Sequence, residues 1–76
     1  MPAVISYYDR DGYRVDVVGG KGGNGLAETV YTSSDSGALT GTPLRTIRRY
    51  AANTGREIAA EYGITFAGVE REGEDA

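Results

Sequence analysis

Residues 42–62 read TPLRTIRRYAANTGREIAAEY, and no other stretch of the chain supports a long helix. Thr42 offers a capping hydroxyl and Pro43 suits the first helical position, where a missing N–H costs nothing. At 100° per residue Leu44, Ile47, Ala51, Gly55, Ile58 and Tyr62 fall in one narrow stripe, the expected packing face. Gly55 lies on that stripe although glycine inside a helix costs about 1 kcal/mol against alanine. Its position suggests a close approach to a neighbouring element; the competing reading is a break near Asn53-Thr54-Gly55. Gly63 suits a left-handed helix end.

Outward from this helix the pattern changes to strands. Ala3 to Tyr8 and Tyr13 to Val18 are β-prone runs joined by Asp9-Arg10-Asp11-Gly12, and Asp-Gly between such runs signals a hairpin. The two-residue period places Val4, Ser6, Tyr8, Tyr13, Val15 and Val17 on one face, expected to meet the core. Ile5, Tyr7, Asp9, Arg14, Asp16 and Val18 take the other, expected to see solvent, with Asp9 paired to Arg14 at the turn. The glycine-rich run 19–25 (GGKGGNG) reads as a mobile loop, Leu26 to Thr32 as a third strand, and 33–41 (SSDSGALTG) as a long polar loop. Beyond the helix, Ile64 to Val69 reads as a last strand.

The order β-β-β-α-β predicts an α+β fold: a small antiparallel sheet covered on one face by a single long helix. One domain is expected over 1–70, followed by a disordered acidic tail over 71–76.

Composition narrows the chemistry more than any motif does. The chain has 76 residues, a formal charge of −3, and no Cys, His or Trp. A disulfide framework, a zinc site built on Cys and His, a Ser-His pair and a reactive thiolate are all excluded. Carboxylates, tyrosines, arginines and Lys21 remain. An enzymatic site would need Arg45, Arg49 or Arg56 to converge with Tyr50 or Glu57, which helical spacing sets on different flanks, so no enzyme and no cofactor is expected. Lys21-Gly22-Gly23-Asn24-Gly25 resembles the opening of the deviant Walker A loop of ParA-type ATPases. Leu26 and Ala27, however, stand where that loop requires a lysine and a hydroxyl, and the run reads as a connection between strands. No apolar run approaches the roughly 20 residues needed to span a bilayer, and the start Met-Pro-Ala-Val lacks the pattern of a signal peptide. No membrane partner and a cytoplasmic setting are expected.

The helix surface carries the functional signal. With Leu44 at 0°, Arg48, Arg45, Arg56 and Arg49 lie between about 40° and 140°, and Tyr50, Glu57 and Glu61 between about 220° and 260°. Three of the arginines fall in the first two turns, where the positive end of the helix dipole disfavours them. An anionic partner would account for them; pairing with the acidic tail or with Asp35 is the alternative. Tyr8, Tyr13 and Tyr62 are assigned to the core, which leaves Tyr7, Tyr50 and Tyr31 for contacts. The candidate partner-binding set is Arg45, Arg48, Arg49, Arg56, Tyr50 and Tyr7, since tyrosine and arginine are enriched at binding hot spots.

Asp9-Arg10-Asp11-Gly12-Tyr13 in its hairpin, followed by a third strand, a long helix and a further strand, resembles the HicB-type antitoxin domain, a partial ribonuclease-H-like fold. The likeness spans most of the chain in topology and residues 9–13 in motif. In that family the helix begins with acidic residues, where this chain has Arg45, Arg48 and Arg49. The resemblance implies action by binding, covering a toxin or another effector, and brings no catalytic residues with it. A small non-enzymatic regulator or inhibitor is therefore expected, antitoxin-like or anti-defence-like, of a size typical of phage or mobile elements. Its partner would be a protein; a nucleic-acid-binding module using the same arginines is the alternative, against a sequence pI near 4.7. So small a core also leads us to expect a homodimer.

Overall fold

The computed structural model describes residues 2–19, 27–33, 39 and 41–72. β1 (Ala3–Asp9), β2 (Gly12–Val18) and β3 (Glu28–Thr32) precede α1 (Leu44–Tyr62), and β4 (Thr65–Arg71) follows it. The fold is α+β, one helix packed on a four-stranded sheet of order β3-β2-β1-β4.

The hairpin forms as its sequence dictates. β1 and β2 pair antiparallel from Ala3 opposite Val18 to Asp9 opposite Gly12, which leaves Arg10 and Asp11 as the turn. Asp9 Oδ1 accepts the N–H groups of Asp11 (2.8 Å) and Gly12 (3.1 Å), so this carboxylate stitches the turn and does not pair with Arg14. β3 adds antiparallel to β2.

β4 corrects the expected sheet, because it lies parallel to β1 and the sheet is mixed, not wholly antiparallel. The cause is the connection. Two antiparallel steps make β3 parallel to β1, and α1, about 28 Å long, then carries the chain back across the sheet. The strand that follows starts from the same end as β3 and β1 did.

α1 runs unbroken through Gly55, so the break considered near Asn53-Thr54-Gly55 does not occur. It starts one residue later than the capping pattern suggested. Pro43 itself occupies the N-cap, with its carbonyl accepting the N–H groups of Thr46 and Ile47, and no side chain caps the first turn, Thr42 included. The other end follows expectation: Gly63 adopts the left-handed conformation (φ 72°), and its N–H and that of Ile64 satisfy the Ala60 and Ala59 carbonyls.

The sheet face predicted for the core is the one the helix covers: Val4, Ser6 and Val15 are fully buried beneath it. From the helix come Ile47, Ala51, Ala52, Gly55 and Ala59. Tyr62, expected in this stripe, is 55% exposed; Ile64, two residues on, packs against the Val4–Val15–Ala59 cluster instead. Small residues dominate the contact, so the helix lies close to the sheet. Ser6 Oγ donates to the Ala51 carbonyl at 2.7 Å. A Cβ at Gly55 would stand 2.5 Å from Phe66 Cε1 and closer still to Ser6 Oγ.

Asp16, on the face expected to see solvent, is only 4% exposed. β4 runs on to Arg71, and Glu72 N–H bonds to the Tyr8 carbonyl (2.7 Å), so Arg71 and Glu72 of the expected tail are tied to the sheet. Residues 73–76, with 20–26 of the glycine-rich loop and 34–38 and 40 of the polar loop, lie outside the described residues.

Gly55→Ala tests the close approach. Alanine ordinarily strengthens a helix, but here it should cost about 1–3 kcal/mol by overpacking, a Tm loss of roughly 4–8 °C per kcal/mol in a domain of this size. Asn53→Ala, exposed on the opposite side of α1, should leave Tm unchanged or raise it. Equal Tm changes in the two variants would contradict this packing.

Candidate functional site

Arg45, Arg48, Arg49 and Arg56 are all exposed on α1, and no acidic residue stands in its first turn. Among the described residues none of the four forms an ion pair. The Arg56 guanidinium lies 5.3 Å from the centroid of the Phe66 ring on β4. That contact orients the whole flank, since Arg45 and Arg49 share the azimuth of Arg56 and so face the β4 side of the helix.

The opposite flank faces the other way. Thr54, which adjoins the Tyr50–Glu57–Glu61 side of the helix, meets the hydroxyl of Tyr13, so that side lies toward β2. Tyr50 is 43% exposed there, across the helix from the arginines. Beneath this flank the Tyr13 hydroxyl lies 3.0 Å from Thr54 Oγ1, and its ring stacks on Tyr31 of β3 with centroids 5.4 Å apart. Tyr31 is thereby engaged with Tyr13, although 42% exposed.

Tyr7 lies on the far side of the sheet, opposite Arg14 in the hairpin and on the face turned away from α1. The Arg14 guanidinium stacks over its ring at 4.5 Å. The six candidate residues thus divide into an arginine flank, Tyr50 on the other flank, and Tyr7 behind the sheet. Only the arginines form a continuous surface.

The face turned away from α1 has a charge cluster of its own. Arg14 Nε donates to both carboxylate oxygens of Asp16 (3.2 and 3.1 Å), and Nη1 donates to Glu72 Oε2. Thr29 Oγ1, from the residue opposite Asp16 on β3, donates to Asp16 Oδ1 at 2.8 Å. Glu72 first, with Asp16 adding to it, holds the Arg14 guanidinium more firmly in its charged form, against the cost of partial burial. Arg14 and Asp16, two apart on one strand face, were legible as neighbours in the sequence. Glu72, 58 residues away, was not. Compared with known proteins, the chain matches no family model, no curated protein and no solved structure.

Two measurements follow from these contacts. Arg14→Ala leaves the Asp16 carboxylate buried without its cation and should cost about 2 kcal/mol in urea unfolding, whereas Glu72→Gln, at a half-open pair, should cost less than about 1 kcal/mol. Equal losses would place the anchor at Glu72. Burial, with Tyr31 assisting, pushes the Tyr13 phenol above its ordinary value of about 10, outweighing the Thr54 hydrogen bond. The unfolded chain then loses this proton first, so the contribution is complete below about pH 10 and is lost as pH rises through the folded value. Tyr13→Phe should be about 1 kcal/mol less stable at pH 7 and should show a shallower alkaline decline; parallel declines would contradict the assignment.

Proposed function

We propose that the protein is a small non-enzymatic regulator or inhibitor that acts by docking a protein partner on the arginine flank of α1. One observation carries this reading. The chain neutralises Arg14 twice over, at Asp16 and Glu72, yet leaves Arg45, Arg48, Arg49 and Arg56 exposed with no carboxylate among the described residues. Three of them stand near the helix N-terminus, where they oppose the dipole and weaken the helix that carries them. Arginine in that setting suits bidentate recognition of carboxylates on another surface.

An antitoxin-like or anti-defence-like role belongs to the same proposal, as the resemblance in the hairpin implies. A protein partner is favoured over nucleic acid by charge. Outside the helix the chain has nine acidic and four basic residues, so phosphate would be attracted by one flank and repelled by the rest.

Arg45→Glu/Arg49→Glu, compared with the unmodified chain as bait in nuclease-treated host extract, should lose the proteins that the unmodified chain captures. Capture that survives the reversal would overturn the reading. Tight binding of a single- or double-stranded oligonucleotide at low salt, lost in the same variant, would assign the flank to nucleic acid instead.

A further inference from the structure

The helix covers three of the four strands. It packs on β1, β2 and β4, and none of its Cα atoms comes within 8 Å of β3. The helix side of β3 is therefore a ledge, and the flank of α1 opposite the arginines stands beside it as a wall. Pairing fixes what the ledge carries: Tyr31 lies opposite Val15 and Glu28 opposite Val17, both on the face that meets the core. The register shifts between them, and Val30 packs, half-buried, against the Val4–Val15–Ala59 cluster.

The direction of the wall follows from the packing. The Ala51 carbonyl is level with Ser6, which pairs with Val15, and a side chain at Gly55 would meet Phe66, which lies beside Val4 and so level with Val17. α1 thus runs along β2 and against β3. Tyr50 stands at the Tyr31 end of the ledge, and Glu57 and Glu61 stand at the Glu28 end. Half-buried Ile58 packs on the same apolar cluster as Val30. Tyr13 closes the corner, its hydroxyl on Thr54 and its ring on Tyr31.

The angle between ledge and wall has an apolar floor and an unpaired rim. Tyr31 and Tyr50, at 42% and 43%, are two of the three exposed large apolar side chains among the described residues. Glu28, Glu57 and Glu61 are exposed, and none of them forms a hydrogen bond or ion pair among the described residues. No arginine of the helix answers them, since all four take the opposite flank, and Arg14 lies on the other face of the sheet.

We propose that this angle docks a short, extended basic segment of a partner protein. Its arginine or lysine side chains lay their stems on Val30 and on the rings of Tyr31 and Tyr50, and carry their charges to Glu28, Glu57 and Glu61. From Tyr50 to Glu61 the helix rises about 16 Å, which about five extended residues span. The inference goes beyond the docking proposed for the arginine flank and does not depend on it: one side of α1 takes carboxylates and the other takes cations.

The test uses the whole chain and a labelled ten-residue peptide alternating Arg and Val, read at low salt by fluorescence anisotropy and by backbone amide NMR. Amide shifts should centre on Tyr31, Tyr50 and Glu57. Citrulline, which keeps the shape of arginine without its charge, should lower the affinity at least about tenfold. Tyr50→Ala changes no charge and should still cost about two- to fivefold; Glu57→Gln should cost about twofold or more, each variant shown folded by circular dichroism. Glu70→Gln, on the other face of the sheet beside Tyr7, should bind as the unmodified chain does. Shifts spread over the whole surface, equal losses in Glu57→Gln and Glu70→Gln, or undiminished binding by Tyr50→Ala would overturn the inference. A dimer in light scattering that the peptide dissociates would give the surface to a second copy and overturn it as well. Failure of the peptide leaves the arginine-flank reading standing, because capture with Arg45→Glu/Arg49→Glu tests that reading separately.

Discussion

Ser6 turns its hydroxyl away from the sheet and into the helix backbone, donating to the Ala51 carbonyl at 2.7 Å while fully buried. A hydroxyl in that position would cost about 1–3 kcal/mol without an acceptor, and the acceptor is within reach only because the helix lies close. Gly55 permits this by presenting no side chain to Ser6 and Phe66, and Ala51, Ala52 and Ala59 keep the rest of the contact thin. The aliphatic core can then be small, with Val4, Val15 and Ile47 as its largest fully buried apolar side chains. A helix seated so directly on β1 also fixes the angular position of its flanks, and with it the edge that the arginines overhang.

Charge is divided accordingly. On the sheet face turned away from α1 Arg14 gathers Asp16 and Glu72, lies against Tyr7, and is internally compensated. On the helix, four arginines have no carboxylate among the described residues, and only Arg56 rests on a ring, that of Phe66. Ion pairs at open surfaces contribute little to stability, so leaving the helix arginines unpaired costs the fold little and keeps their donors available. The formal charge of −3 averages over this division.

Much of the fold was legible because short-range signals set it. Asp-Gly between two β-prone runs gave the hairpin, Pro43 and Gly63 bracketed the helix, and 100° arithmetic put Gly55 on its packing side and the arginines on one flank. The sequence pattern fails where distant segments decide. Nothing local to Ile64–Val69 records which strand β4 joins or in which direction, and the expected antiparallel pairing gives way to a parallel one. Alternation names the face of Asp16 and says nothing of the Arg14 and Thr29 side chains that bond to it there. Tyr62 left the core because Ile64 took the place at the helix end. The charged run from Arg71 has no apolar pattern to mark it as strand, yet β4 extends to Arg71, and a backbone bond to Tyr8 and the Arg14 ion pair hold Glu72.

For the candidate site the same division applies. By itself the sequence determined that, without Cys or His, the reactive groups left are carboxylates, phenols, one lysine and guanidinium groups, and that four of the guanidinium groups share one side of one helix. Both follow from residue identity and a fixed helical period. Only the tertiary structure decided that this side overhangs β4 and not β3, that Tyr50 lies across the helix from it, and that Tyr7 is cut off from it by the thickness of the sheet. Those facts depend on the rotation of α1 about its axis on β1. The Ser6–Ala51 bond, between residues 45 apart in the chain, and the bare backbone of Gly55 against Ser6 and Phe66 set that rotation, beyond the reach of any local pattern.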